Sequence, residues 1–513
     1  GKGSDTSKVS DPSNESTFKT VDLNLNYHHQ EDLQVDFKTQ PLLPHQHSRQ
    51  GPCMASGDLN NDGLADFYIG GAAGESGRFF YQNSEGQFLE KELPFDQEKE
   101  DADALFFDFD NDDDLDLYVV SGGVVYNPSD TIYQDRLYEN KNGIFIKTEN
   151  VIPNIKNSGS CVRAADFDTD GDLDLFIGGR VTPTKYPTIP ESYILENQNG
   201  KFIENTPAKL KNIGMVTDAL WTDFDTDDDL DLILVGEFMP ITIFKNEDRK
   251  IVNSVIEIPN SNGWWNCIKS GDFDNDGDLD FLVGNLGLNS NYRASVDEPV
   301  RLYANDFDEN GTLDPVLCQY IDGVEYPVPT RDALVQQIAP IKVRFNTYKK
   351  YAEASFSDVF KRPERAGMQM LEANNFSSVL IENNWQEKGV LTLKKLPLEL
   401  QFAPLQDFLI DDFNNDNHLD ALVVGNDFST EVSIGNYDAF NGAVLWGNGK
   451  NEFQVERGTA SGFRVIGDTR FINQMQLIDN QKLIVVGQNA DSLRFFIEKQ
   501  SKAKSEELIT AKR

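Results

Sequence analysis

The sequence predicts an all-β chain folded as a β-propeller of seven blades, with eight as the alternative count. Three observations predict it: an acidic nonapeptide that recurs seven times, a short apolar run ending at glycine after most copies, and first-loop spacings of 50, 58, 57 and 49 residues. Repeats of about 40–50 residues with four strands each mark that architecture. The length agrees, since 513 residues make about three ordinary domains of ~150 residues or one large all-β domain with appendages.

The nonapeptide reads Asp-x-Asp/Asn-x-Asp/Asn-x-x-x-Asp and occupies residues 58–66, 108–116, 166–174, 223–231, 272–280, 306–314 and 412–420. The chain carries 85 Asp and Glu against 46 Lys and Arg, for a net charge of −39. Thirty-two of those acids lie in the seven windows, which hold no Lys or Arg, and the balance elsewhere is an ordinary −7. Packing carboxylates this closely raises their pKa values and costs stability unless a counter-ion is present. A hard divalent cation bound by oxygen alone meets the need, and tight loops with ligands at positions 1, 3 and 5 are how proteins hold calcium.

The candidate ligands are therefore the side chains at positions 1, 3, 5 and 9, with the backbone carbonyl of position 7. They are Asp58, Asn60, Asp62 and Asp66; Asp108, Asp110, Asp112 and Asp116; Asp166, Asp168, Asp170 and Asp174; and Asp223, Asp225, Asp227 and Asp231. The later windows add Asp272, Asp274, Asp276 and Asp280; Asp306, Asp308, Asn310 and Asp314; and Asp412, Asn414, Asp416 and Asp420. Up to seven calcium ions follow, with the first and last loops the weakest at three acids each. Position 6 must turn sharply, and Gly63, Gly171, Gly277 and Gly311 allow it. Asp113, Asp228 and Asn417 stand there in the other copies, and Asp and Asn tolerate left-handed backbone best among the rest. An EF-hand is excluded, because it needs a Glu at position 12 and flanking helices.

Around each loop the pattern is β. After it come runs such as FYIGG, LFIGG, LILVG and ALVVG, which read as buried strands. An apolar pair, one residue and Asn follow, ending at Asn83, Asn140, Asn197, Asn246, Asn305, Asn383 and Asn448, and a Gly-x-Phe turn often comes next. Residues 470–497 repeat the strands without the acidic loop. Two strand-ending glycines, Gly284 and Gly425, lie 141 residues apart, which leaves room for an eighth blade. The alternation of Val21, Leu23, Leu25 and Tyr27 marks a half-buried strand that would complete the last blade from the N-terminal side. Residues 1–17 read as a tether, 18–498 as the propeller and 499–513 as a polar tail. Within the propeller, residues 328–376 read as a helical insertion, with Leu334 and Ile338 at i and i+4 and Phe345, Tyr348 and Ala352 continuing the face.

Cys53, Cys161 and Cys267 each stand five residues before a loop, and Asp103, Asp218 and Asp407 take that register in other units. Cys and Asp should therefore alternate around part of the central channel. Non-neighbouring blades hold the cysteines too far apart to bridge, so all four thiols should be free. Trp264 and Trp265 precede a first strand and read as packing residues rather than a sugar platform. His45 and His47, two apart, have metal-pair spacing on a strand, but five His in all and no HExxH motif argue against catalytic zinc. The acid excess argues against nucleic acid, whose phosphates need clustered Lys and Arg, and no apolar run approaches the ~20 residues of a membrane span.

On these residues the chain resembles FG-GAP or VCBS-type repeat proteins, whose units build the propellers of integrin α-chains and of bacterial surface proteins. The texture of QPLLPHQHSRQGP, GWWN, GNLGLNSNYRAS, EPVRLYANDFDENGTLDP and QFAP is most similar to large bacterial VCBS-repeat proteins related to cartilage acidic protein. The resemblance covers about residues 18–497 and implies an exported calcium-binding propeller with no catalytic residues to carry over. Members are often longer, so the chain reads as a shorter relative or a C-terminal half.

The functional expectation is a non-enzymatic, calcium-stabilised propeller at the bacterial cell surface, on the outer face of the outer membrane. It would bind a protein partner there, as a subunit of an outer-membrane complex, and a lipidated Cys upstream of Gly1 would make it a surface lipoprotein. The rivals are an adhesin for glycans or peptides and a lyase or hydrolase using channel acids.

Overall fold

Each acidic window except that at residues 306–314 becomes the tight connection between the first two antiparallel strands of a blade. The computed structural model describes residues 16–32 and 34–499. Seven first strands, Met54–Gly57, Asp101–Phe107, Ser158–Ala165, Met215–Thr222, Gly263–Gly271, Leu405–Asp411 and Thr469–Gln476, neighbour one another in sequence order. The last meets the first and closes a ring. Numbered in that order, blades 1 to 6 carry a second, third and fourth strand outward from these, and blade 7 takes its fourth strand from the N-terminal side. Blades 4 and 5 also pair directly, Glu237 with Trp264 and Met239 with Gly263.

The strand that closes blade 7 is Phe18–Val21, paired antiparallel with Phe495, Phe496, Ile497 and Glu498. Of the alternating residues that suggested it, only Val21 lies in this strand, paired with Phe495. Leu23, Leu25 and Tyr27 pack against the blade 1 and blade 7 core but leave the ladder. Of the tether and tail, Ser16, Thr17 and Lys499 are described, and Lys499 N–H donates to the Thr17 carbonyl at 2.8 Å; the rest lies outside the described residues.

Alternation along the second strands stacks the ring. In blade 2, Leu117 and Val119 face blade 1, while Tyr118 and Val120 face blade 3. These strands are buried on both faces, which is why they read as continuous apolar runs.

The eighth four-stranded sheet exists, but outside the ring. It lies between the second strand of blade 5, Asp280–Asn285, and the third, Val379–Asn384. Its strands run in the order Val324–Pro327, Asp314–Ile321, Val300–Asn305, Gln369–Ala373. The insertion is thus wider than residues 328–376, and the window at 306–314 turns between two of its strands rather than inside a blade. Asn305 accordingly precedes its loop instead of ending a third strand. One face of this sheet, with Val300, Leu302, Leu317 and Ala373, packs on the propeller core, and the other, with Tyr303, Val316 and Cys318, packs under helices. There are four short helices, Arg331–Gln337, Ile341–Arg344, Tyr348–Ala352 and Phe356–Val359. Leu334, Ile338 and Phe345 are buried as the helical period requires. Tyr348 and Ala352 are exposed, because Pro340 and the Thr347 N-cap interrupt the helix and restart its phase.

The first strands line a channel of about 500 Å³. Cys53, Cys161 and Cys267 stand in blades 1, 3 and 5, and Asp103, Asp218 and Asp407 in blades 2, 4 and 6, so the alternation is realised. All four cysteines are free and buried. Gly178 and Gly284 lie opposite Cys161 and Cys267, whereas Val120, Val235 and Val424 lie opposite the aspartates. A Cβ at Gly178 would stand 2.7 Å from Cys161 Sγ and 2.9 Å from Ser160 Oγ. Gly178→Ala should therefore cost about 1–3 kcal/mol through overpacking, and Cys161→Ala in the same chain should recover much of it. A double-mutant cycle by urea unfolding measures the coupling, and additive effects would refute the contact.

Candidate metal centres in the acidic loops

The loops share one backbone form. Position 6 is left-handed in all seven, from φ 67° at Asn417 to 100° at Gly277, and so is position 4, from 54° at Thr226 to 62° at Asn415. The second of these turns was not read from sequence; Asn61, Asn111, Asn275 and Asn415 are its signal in four loops. The position 1 carboxylate shapes the turn. One oxygen accepts the N–H of position 5 and the other that of position 6, at 2.8–3.2 Å throughout. Position 5 accepts the N–H of position 7, as Asp276 does from Asp278 at 3.2 Å.

Position 9 is the deep end. Asp66, Asp116, Asp174, Asp231, Asp280, Asp314 and Asp420 are all fully buried at the start of their strands. In six blades one oxygen accepts a third-strand N–H: Gln82 to Asp66, Asn140 to Asp116, Asn197 to Asp174, Asn246 to Asp231, Asn383 to Asp280 and Gly447 to Asp420, all at 2.7–2.9 Å. Gln82 and Gly447 thus hold this register in blades 1 and 6, one residue before the Asn83 and Asn448 that the pattern suggested. In the inserted sheet, Gln337 Nε2 donates to Asp314 instead, at 2.8 Å.

The same asparagines do a second job. Asn140 Nδ2 donates to the Leu59 carbonyl in the loop of blade 1, Asn197 to Phe109, Asn246 to Phe167 and Asn383 to Phe224, at 2.7–2.9 Å. The third strands of blades 2 to 5 therefore clasp the loop of the preceding blade. Loops also touch directly: Asn111 Nδ2 donates to Asp172 at 2.6 Å, and Asn275 Nδ2 meets His418 Nδ1 at 3.0 Å.

Oxygen atoms that no protein group satisfies converge on this scaffold. Asp110 Oδ1, Asp225 Oδ1, Asp274 Oδ1 and Asp308 Oδ1 at position 3 are buried and unpartnered, as are Asp174 Oδ2, Asp231 Oδ2 and Asp280 Oδ2 at position 9. Carboxylate oxygens of Asp108, Asp110 and Asp116 lie within 4.8 Å of one another, and so do those of Asp166, Asp168 and Asp174, of Asp223, Asp225 and Asp231, and of Asp272, Asp274 and Asp276. These groups have the donor set of an oxygen-bound cation, with Asp112, Asp170 and Asp227 at position 5 on the exposed side. In the first and last loops, Asn60 and Asn414 at position 3 are exposed, as are Asp62 and Asp416. Asp58 and Asp412 there, like Asp306 with Asn310 in the inserted sheet, keep the same turn.

Loop 4 differs. Lys245, next to Asn246 on the third strand, pairs with Asp225 and lies 3.3 Å from Asp227. Blades 2, 3 and 5 carry Glu139, Glu196 and Glu382 at that register. A cation at loop 4 must compete with this ammonium.

Burial pushes the position 9 carboxyls up, to about 7 in Asp116, Asp174, Asp231 and Asp280 and about 6 in Asp66, Asp314 and Asp420, with neighbouring carboxylates adding to it. A carboxyl held above its unfolded value of ~3.9 binds its proton more tightly when folded, so its contribution is present at low pH and lost as pH rises to about 7. Metal-stripped protein should therefore melt at progressively lower temperature from pH 5 to 7.5. Scanning calorimetry across that range tests it, and a rising melting temperature would contradict it.

Residues 58–119 and 223–283 match the family described as FG-GAP-like repeat, each stretch running from one acidic window through the next. The chain is a β-propeller, and these two stretches of it match FG-GAP-like repeats. No curated protein matches it. Solved structures similar to it include the BBS1 N-terminal region in complex with ARL6, at 9% identity and TM-score 0.41, over 89% of this chain and 95% of that one. The biofilm matrix protein Bap1 of V. cholerae aligns at 10% identity and TM-score 0.35, over 96% and 92%. YCF48 bound to D1 peptide aligns at 9% and 0.39, over 93% and 100%.

Proposed function

We propose that the protein is a calcium-stabilised propeller acting outside the cell as a binding and assembly subunit, not as an enzyme. The carrying observation is the repeated convergence of buried, unpartnered carboxylate oxygens in loops that otherwise hold the blades together. Oxygen-only sites select hard cations, and extracellular calcium modules bind at ~10⁻⁴–10⁻³ M. Such sites fill outside a cell and stay empty at cytosolic calcium, which favours the outer face of the bacterial outer membrane. A lipid anchor upstream of Gly1 and membership of an outer-membrane complex fit that placement.

At an ion concentration ~1,000 times the dissociation constant, each filled site adds about 4 kcal/mol. Chelation with EGTA at neutral pH should therefore lower the melting temperature sharply. Asp274→Ala, which deletes a ligand, should destabilise the calcium form more than Asp228→Gly, which relaxes a left-handed turn at φ 69° and leaves positions 1, 3, 5 and 9 in place. An EGTA-insensitive melting curve would remove the basis of the calcium reading.

The partner surface we assign to the inserted module. Its outer helices expose Lys342, Val343, Tyr348, Lys349 and Lys350, with Val343 85% and Tyr348 66% accessible. In a chain of net charge −39, a basic and apolar patch suits an acidic protein partner. Lys342, Lys349 and Lys350 changed together to Glu should abolish co-purification of that partner from native membranes while calcium-dependent melting stays unchanged. Protease shaving of intact cells should release the protein. Protection from protease until lysis, or retention of the partner by the triple variant, would count against this reading.

A further inference from the structure

The N-terminal segment returns from blade 7 to blade 1 across the face opposite the acidic loops. On the way His45 forms an isolated antiparallel bridge with Thr430, and Gln46 N–H donates to the Ser429 carbonyl at 2.8 Å, both in blade 6. This brings the His-x-His pair against Glu237, near the end of the second strand of blade 4. His45 Nε2 lies 3.0 Å from Glu237 Oε2, and the two imidazoles are 4.5 Å apart between centroids. One ligand atom from each of His45, His47 and Glu237 falls within 4.8 Å of the other two.

His47 is the anomaly. It is 1% exposed, and neither Nδ1 nor Nε2 has a hydrogen-bond partner. A neutral imidazole carries one N–H and one lone pair, and leaving a buried polar group unpaired costs about 1–3 kcal/mol. Glu237 is firmly held. Tyr186 Oη donates to Oε1 at 2.6 Å and Arg180 Nη2 to Oε2 at 2.7 Å. Hydrogen bonds of this kind orient a ligating carboxylate. Beside His45 and Glu237 a cavity of about 50 Å³, also lined by Arg180, Trp264 and Tyr437, has room for a water.

We propose that His45, His47 and Glu237 bind one divalent transition ion of the zinc class, with a water in the fourth position. Two imidazoles and one carboxylate are a nitrogen-rich set that favours zinc over calcium, so this site differs in chemistry from the acidic loops on the other face. Ligands ~2.0–2.2 Å from a tetrahedral ion stand about 3.3 Å apart, close to the His45–Glu237 separation seen. The ion would fasten the N-terminal segment to blade 4 beside its contacts with blade 6. The rival arrangement is a metal-free ion pair of protonated His45 with Glu237 and Arg180. It satisfies Glu237 but leaves both nitrogens of His47 without a partner.

The test uses the full chain saturated with calcium, so that the acidic loops are occupied, then equilibrated with Zn²⁺ or Co²⁺ and dialysed against calcium. One Zn²⁺ per chain should remain, and Co²⁺ should give the visible absorption of a tetrahedral nitrogen-containing site. X-ray absorption of the zinc form should show two imidazoles. His47→Ala should abolish retention, and Tyr186→Phe should weaken binding about 10–100-fold. No zinc retained over calcium, oxygen-only scattering, or full retention in His47→Ala would each overturn the proposal. Because the absorption measurement uses the unaltered protein, it decides the matter even if His47→Ala fails to fold.

Discussion

The ninth residue of each acidic loop is the constraint on which the propeller depends. It is a carboxylate buried at the start of a strand, where an isolated charge would be several kcal/mol too costly. Two things make its position tenable. A third-strand N–H satisfies one oxygen in six blades. The other accepts the position 2 N–H in Asp66, Asp116 and Asp420, and in Asp174, Asp231 and Asp280 it is left unpartnered where a cation would neutralise it. The loop thereby fixes the spacing of the second and third strands of its own blade. The asparagine whose N–H meets this carboxylate also clasps the preceding loop through its side chain, so distortion of one loop reaches the next blade directly.

The inner rim solves a different problem, that of bringing seven strands together around one axis. Asp103 accepts the Val162 N–H, Asp218 the Ile268 N–H and Asp407 the Ile472 N–H, all at 3.0 Å, each reaching from an even blade to the next. Arg163 pairs with both Asp103 and Asp218, and Lys269 lies 3.2 Å from Asp407. Blades 1, 3 and 5 supply a thiol and a facing glycine in place of this staple, and blade 7 sets Phe471 opposite Gly487. A two-blade period is thus imposed on blades 1 to 6 of a one-blade repeat, and blade 7 interrupts it. It places the channel acids in backbone and ion-pair contacts, which gives them a structural duty whatever else they do.

Local features were legible in the sequence and long-range ones less so. The loops, their left-handed sixth positions and the strand after each could be read because they depend on residues within nine of one another. The third-strand asparagine was visible as a pattern, but its clasp on the preceding blade spans about 80–160 residues, and nothing in the local sequence names the acceptor. Blades 1 and 6 show the limit of such patterns, since Gln82 and Gly447 take the register one residue before a plausible Asn. The inserted sheet was misread because it reuses the same acidic nonapeptide, which satisfies a tight antiparallel turn equally well inside or outside the ring. The His45, His47 and Glu237 group could not be assembled from sequence, because Glu237 lies in an apolar strand with no motif around it.

The antiparallel order of the first two strands separates the molecule into two faces. All six blade loops with the nonapeptide lie at one end, and the ends of the second strands lie at the other. From that second end project the insertion, the segment bearing His45 and His47, and the side chains of Arg180, Glu237 and Trp264. The acidic face is occupied with holding blades together, and substitution there feeds into the whole ring. The opposite face carries the long, non-repeating connections, which the blades do not need for their own pairing. It is there that the chain departs from its repeat, with cationic helices and a nitrogen-rich cluster. Recognition can vary on that face while the carboxylate scaffold beneath it stays constant.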